Sequence, residues 1–89
     1  MPFTTQDLSQ ARTDCAALLE ALGLATYVFD LEPRERRWEL QVECALIQGW
    51  QRIVLEVDPG LLARSRTEPA ARERLLADWQ NRLRSCRYA

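Results

Sequence analysis

Histidine and lysine are both absent from this sequence of 89 residues, and glycine occurs only three times. The absence of histidine excludes Cys–His and Ser–His pairs, which are the common means of activating a nucleophile. The glycines are isolated at Gly23, Gly49 and Gly60, which excludes a glycine-rich phosphate-binding loop. We therefore predict that the protein is not an enzyme, that it has no catalytic residues and that it needs no cofactor.

Cysteine occurs at only three positions, Cys15, Cys44 and Cys86, with no Cys-x-x-Cys spacing. An odd number of widely spaced cysteines does not imply a disulfide framework. Zinc sites usually have four ligands, and the sequence offers neither histidine nor a close cysteine pair to complete a set. We expect no metal site and three free thiols that behave as small buried hydrophobic side chains. Cys86 is expected to be the most reachable of them because it lies close to the chain end.

The sequence contains no run of about 18 apolar residues, the length that a membrane-spanning helix requires. The first seven residues have neither the basic start nor the apolar stretch of a signal peptide. These absences predict a cytoplasmic protein that does not contact a membrane. Every basic residue is an arginine, which is typical of proteins from GC-rich bacteria, so we expect a bacterial source.

The composition is that of a folded domain, with 47% hydrophobic and 28% charged residues. A chain of this length fits a single domain, which we take to be 1–89. The formal net charge of −1 is unevenly distributed, because residues 1–58 hold five arginines against ten acidic residues and residues 59–89 hold seven against three. An acidic body and a basic C-terminal segment can pair with each other or with different partners.

Apolar residues recur at helical spacing near both ends of the chain. Steps of three and four residues predict a helix over about 5–22, with a threonine before it as its cap and Gly23 after its end. A second helix is predicted near 68–86, with Thr67 as its cap. The pattern leaves open whether residues 59–67 form a short helix or a loop.

Alternation with a period of two occupies the middle of the chain and predicts three strands. The first two lie at 24–31 and 36–48, and the third ends at Val57. A four-residue turn at 32–35 joins the first pair, and a two-residue turn starting at Gly49 joins the second. The chain therefore folds back on itself twice.

These turns predict a register in which Leu31 lies opposite Arg36 and Cys44 lies opposite Leu55. In this register both hairpins carry their apolar residues on a common face. The predicted fold class is therefore α+β, a two-layer helix–strand–strand–strand–helix domain. Its three-stranded antiparallel meander is covered on one face by both helices.

The third strand is the strongest candidate for a functional surface. It is an edge strand rich in β-forming residues, and such an edge is either protected or pairs with another chain. Exposed aromatic residues such as Trp50, predicted at the tip of the hairpin, are enriched in protein interfaces. We predict that the protein is an adaptor, regulator or small chaperone that forms a homodimer or binds another protein. The candidate contact residues are Trp50, Arg52, Val54 and Glu56.

Two other functions remain open at this point. The predicted order of elements resembles that of double-stranded RNA-binding domains, and an arginine cluster near the second helix could contact phosphates. The residues of this nucleic-acid alternative are Arg64, Arg66, Arg72 and Arg74. The other alternative is a small enzyme that uses the acidic outer sheet face formed by Glu39, Glu43 and Glu56, where the predicted register places Glu43 opposite Glu56.

Overall fold

The computed structural model describes residues 3–89, so Met1 and Pro2 of the predicted 1–89 domain lie outside the described residues. Three antiparallel strands form one open sheet in the order β1-β2-β3, and helices flank it in the sequence. The α+β class and the three-strand meander are therefore confirmed. The elements are α1 (Thr5–Leu22), β1 (Tyr27–Arg34), β2 (Arg37–Ala45), β3 (Trp50–Val57), α2 (Pro59–Arg64) and α3 (Pro69–Arg82).

The first helix has the bounds and the caps that its sequence predicts. The Thr4 hydroxyl accepts from the Asp7 backbone N–H at 3.0 Å, and an Asp7 carboxylate oxygen accepts from the Thr4 N–H at 2.9 Å. This reciprocal capping box satisfies two of the orphan donors at the start of the helix. The helix ends at Gly23, whose φ of 80° lies in the left-handed region that suits glycine.

Both predicted strand registers are wrong by four residues. The turn between β1 and β2 contains only Glu35 and Arg36, so Leu31 lies opposite Leu40 and not opposite Arg36. The loop between β2 and β3 contains the four residues 46–49, not two. As a result, Leu55 also lies opposite Leu40. Because the error is an even number, every side chain still projects from the predicted face.

The second half of the chain contains two helices, one where a helix was predicted and one in the segment 59–67 that the sequence left open. Residues 59–64 form the short helix α2, which Asp58 caps through its carboxylate and the Leu61 N–H at 2.8 Å. The next helix, α3, begins one turn later, and its N-cap is Glu68 without a side-chain hydrogen bond. Thr67 is therefore not the cap that the sequence suggested.

The hydrophobic core lies between the helices and one face of the sheet. Trp79 of α3, Leu19 of α1 and Leu62 of α2 are almost completely buried, together with Leu40 and Leu55 of the sheet. All three helices contribute to this single core cluster, which confirms the prediction that the helices cover one face. The opposite face has no covering layer among residues 3–89.

Two of the three cysteines form a disulfide, so the prediction of three free thiols is wrong. Cys44 of β2 and Cys86 near the chain end are joined by a bond that closes a loop of 42 residues in sequence separation, and Cys86 is buried. The residues after it are held by backbone hydrogen bonds. Arg87 donates to the Ala45 carbonyl at 2.9 Å, and its own carbonyl accepts from Ala25 at 2.9 Å. The disulfide thus anchors the tail against the end of the sheet.

No helix within residues 3–89 combines the length and the apolar character needed to cross a membrane.

We expect the disulfide to contribute substantially to stability. Closing a loop of this size restricts the unfolded chain, which is worth about 3–4 kcal/mol in the chain-entropy description. Reducing agent should therefore lower the free energy of unfolding measured in urea by about that amount. The Cys44→Ala/Cys86→Ala double variant is the control, since reductant should not change its stability. Three reactive thiols in denatured, unreduced protein, instead of one, would contradict the bond.

We expect the turn between β1 and β2 to be improved by glycine. Arg36 has a φ of 65°, the only positive φ of a non-glycine residue among those described. L-residues are strained there, whereas glycine is not. Arg36→Gly should raise the free energy of unfolding by about 0.5–1 kcal/mol, measured in urea. Glu35→Gly is the matched control and should lower it, because Glu35 does not have a positive φ.

Candidate interaction surface

The outer sheet face is the side of the sheet that the helices leave uncovered. Its side chains project from alternate positions of the three strands. It consists of Val28, Asp30, Glu32 and Arg34 from β1, Arg37, Glu39, Gln41, Glu43 and Ala45 from β2, and Trp50, Arg52, Val54 and Glu56 from β3. The four predicted contact residues therefore share one strand and one face, and all four are exposed.

Three large apolar side chains are exposed on this face. Val28 is 59% exposed, Trp50 is 58% exposed and Val54 is 49% exposed. Trp50 is the first residue of β3, opposite Ala45, and so it lies on the strand and not at the tip of the hairpin where it was predicted. Aromatic residues held on a regular strand lose little conformational freedom on binding. The upper part of the face therefore offers rigid apolar contact area.

The lower part of the outer sheet face carries a network of opposite charges. Arg34 donates to Glu32 at 3.1 Å and to Glu39 at 2.8 Å, and Gln41 donates to the same two carboxylates. The hydrogen bond to Glu32 raises the pKa of the Arg34 guanidinium, and the charge of Glu39 adds to the effect. Glu39 also lies directly opposite Glu56, which Arg37 approaches at 3.3 Å. The carboxylates here are held by arginines.

The carboxylate pair expected for the enzyme alternative, Glu43 opposite Glu56, does not form, and Glu39 lies opposite Glu56 instead. Glu43 lies opposite Arg52, at 3.6 Å between the carboxylate and the guanidinium, and not opposite Glu56. The register error explains the difference, because it moves Glu56 four positions along β2. No group of three histidine, cysteine or acidic side chains within residues 3–89 has the arrangement of a metal site.

The arginines of the nucleic-acid alternative are divided between two helices and a turn. Arg64 pairs with Glu68 at 3.6 Å, and Arg66 pairs with Asp14 of α1 at 3.6 Å. Arg72 shares a shallow cavity with Arg66 and with two glutamates, and Arg74 is exposed elsewhere on α3. The acidic neighbours reduce the positive potential that phosphate contacts need.

Asp14 is a buried carboxylate that the sequence analysis overlooked. Its side chain is only 6% exposed, and it accepts a hydrogen bond from Gln10 at 3.0 Å in addition to its pairing with Arg66. It borders a groove of about 210 Å³ that also contains Trp38, on which Phe3 stacks at 3.9 Å. The available signal was its position, three residues after Ala11 on the apolar stripe of α1.

Cys15 is the one free cysteine within the described residues, and it is buried in α1. Burial, followed by the nearby charge of Asp14, raises the pKa of its thiol to about 12. At neutral pH the group is therefore a protonated thiol, which is a poor nucleophile. It acts as part of the core.

The chain matches no protein-family model, no curated protein and no solved structure.

We expect Asp14 to have a structural role that can be measured. Asp14→Ala would leave Gln10 and Arg66 without their shared acceptor and should lower the free energy of unfolding by about 1–3 kcal/mol. Arg72→Ala is the control, because this exposed arginine has no described ion pair, and its change should stay within about 0.5 kcal/mol. Equal effects of the two substitutions in urea unfolding would contradict the role of Asp14.

Proposed function

We propose that this protein is a small protein-interaction domain that acts through β3, by self-association or by binding another protein. The observation that carries the proposal is the uncovered outer sheet face, on which Trp50 and Val54 are exposed beside an edge strand. Exposed aromatic residues are enriched in protein interfaces, and edges of this kind attract partners. The absence of a built catalytic or metal site in residues 3–89 is compatible with this function but does not carry it.

The charge pattern of the outer sheet face supports recognition of a specific partner. Acidic and basic side chains both lie beside the apolar groups, and Arg52 lies between Trp50 and Val54 along β3. Interfaces of moderate affinity combine an apolar centre with a polar rim in this way. Trp and Arg are also the residue types that most often dominate binding energy.

The cytoplasmic location and the bacterial source remain predictions. The Cys44–Cys86 bond weighs against the cytoplasm, because structural disulfides are typical of oxidising compartments. A cytoplasmic protein of this sequence would hold the same two residues as buried thiols in contact. Trapping of free thiols in intact cells, followed by mass measurement, distinguishes the two states.

The nucleic-acid alternative has weaker support. Two of its four arginines are paired with acidic residues, and the remaining two lie on a helix that also carries Glu73 and Asp78. If it were nevertheless the function, affinity for RNA or DNA would fall steeply as the salt concentration rises. A flat salt dependence would remove it.

We expect association to depend on Trp50. Trp50→Ala should raise the dissociation constant by about tenfold or more, because a buried aromatic anchor is lost at the interface while the monomer core is unchanged. Sedimentation of the purified protein measures self-association, and a tagged pull-down with and without nuclease measures binding to other proteins. Ile47→Ala is the matched control, since Ile47 is the most exposed large apolar residue among residues 3–89 but lies in the loop outside β3.

The proposal fails if two results occur together. The wild-type protein would have to remain a monomer at hundreds of micromolar, and the pull-down would have to recover no nuclease-resistant protein partner. Loss of association with Ile47→Ala, but not with Trp50→Ala, would move the contact surface away from β3.

A further inference from the structure

The free edge of β3 exposes a row of unpaired backbone groups. The Leu46 N–H donates to the Gly49 carbonyl at 2.9 Å, which makes this a hydrogen-bonded pair of the β2–β3 ladder. Such pairs alternate with non-hydrogen-bonded pairs along an antiparallel ladder. If this alternation is followed along β3 from the Leu46–Gly49 pair, Arg52, Val54 and Glu56 occupy positions that are not hydrogen-bonded to β2. Their backbone groups point away from β2 and toward solvent.

The edge of β1, in contrast, is partly protected against pairing, at the end that contains Leu31 and Pro33. The Ala45 N–H donates to Thr26 at 3.0 Å, so the same counting directs the backbone groups of Leu31 and Pro33 outward. Proline has no N–H to donate, and the Leu31 N–H is already bound by the Asp30 carboxylate at 3.0 Å. Two successive outward positions are thus unable to extend the sheet. No side chain within residues 3–89 binds the outward backbone groups of β3 in this way.

The sequence along this edge is complementary to itself when it is reversed. It reads Arg52-Ile53-Val54-Leu55-Glu56, with opposite charges placed symmetrically about Val54. Arg52 and Glu56 are 61% and 70% exposed at their side chains, although each also contacts a charge on β2. Both can therefore reach across the edge to a second strand. The β3 strand is therefore complementary in charge to an antiparallel second copy of itself.

We propose that two copies of this chain pair through β3, antiparallel, about a two-fold axis at Val54. This deepens the proposed function and rests on it, because it names the partner as a second copy. Val54 then lies opposite the partner's Val54, Arg52 opposite the partner's Glu56, and Ile53 opposite the partner's Leu55. The outward backbone groups meet as hydrogen-bonded pairs, and the two meanders become one six-stranded sheet.

The charges select this register over its neighbours. An axis at Arg52 or at Glu56 would place identical charges directly opposite each other, which is destabilising. An axis at Ile53 or at Leu55 would place a charged side chain opposite Val54. A parallel arrangement in register would also align like charges. Only the axis at Val54 forms two opposite-charge pairs and one apolar pair on the same face.

Charge reversal tests the pairing in a way that distinguishes it from general loss of fold. Arg52→Glu should raise the dissociation constant of the homodimer by about tenfold to a hundredfold, because both symmetric pairs become like charges. Glu56→Arg should do the same for the opposite reason. A mixture of the two variants should form a heterodimer, since every pair across its interface is again one of opposite charge. Sedimentation of each variant and of the equimolar mixture measures this.

A cysteine cross-link gives an independent measure of the register. Hydrogen-bonded antiparallel partners have Cα atoms about 5.5 Å apart, which is within the range of a disulfide. Val54→Cys should therefore form a covalent dimer under mild oxidation. Ile47→Cys is the matched control and should not, because residue 47 lies beyond the end of the paired strands. Circular dichroism of each variant verifies that the monomer fold is retained.

The outcomes separate this inference from the proposed function. The β3 pairing is overturned if the wild type dimerises and the Arg52→Glu and Glu56→Arg variants each still form homodimers. It is also overturned if the cross-link forms at residue 47 and not at residue 54. Either result leaves the proposal of a protein-interaction domain intact. A monomeric wild type that captures another protein has the same consequence. A monomeric wild type without any protein partner overturns both. The register is supported if the equimolar mixture dimerises while neither variant does so by itself.

Discussion

Packing of all three helices against one face of the sheet determines which surfaces of the sheet remain exposed. A three-stranded sheet has two faces and two edges, and the core cluster uses a single face. The tryptophan of α3 and the leucines of the other helices pack against that side. Every remaining feature with possible functional meaning, the outer sheet face and the free edge of β3, exists because the helices do not cover it.

The disulfide extends this constraint to the chain end. Cys44 lies in the central strand on the helix-covered face, so its bond to Cys86 draws the segment after α3 against the sheet. The backbone of Arg87 then bridges Ala45 and Ala25. The tail closes the side of the sheet near the end of β2 and the start of β1. The far edge along β3 receives no such cover, which increases the contrast between the two edges.

The sequence was a good guide to faces and a poor guide to register. The alternation of apolar and polar residues in β2 identifies Trp38, Leu40 and Val42 as buried without knowledge of their partners. The register depends on which residues form each turn, and here the signals misled. Pro33 suggested a turn but lies in an edge strand, where its missing N–H has no cost, while Arg36 takes a left-handed conformation that usually indicates glycine.

Other features could not be read from local patterns at all. The Cys44–Cys86 pairing joins residues from distant segments, and cysteine spacing contains no information about such a contact. The burial of Asp14 required knowing that Arg66 would approach it from the turn after α2. In contrast, Trp50, Arg52, Val54 and Glu56 were found together because they alternate along one strand. A site whose members share one element is predictable from sequence, whereas a site assembled from several elements is not.

The observed register changes the carboxylate pair of one functional hypothesis and leaves the basis of another unchanged. Moving β3 by four positions separates Glu43 from Glu56 and places Glu39 opposite Glu56 instead, with an arginine beside Glu43 and beside Glu56. The backbone of Arg52, Val54 and Glu56 lies on the open side of the strand in either register, because a shift by four positions keeps the alternation of the ladder. An edge with unbound donors and acceptors, apolar at its centre and oppositely charged on either side, is matched by its own reversed copy. A pairing of this kind through β3 would join two chains about a two-fold axis, and the outward positions Leu31 and Pro33 would hinder further addition along β1.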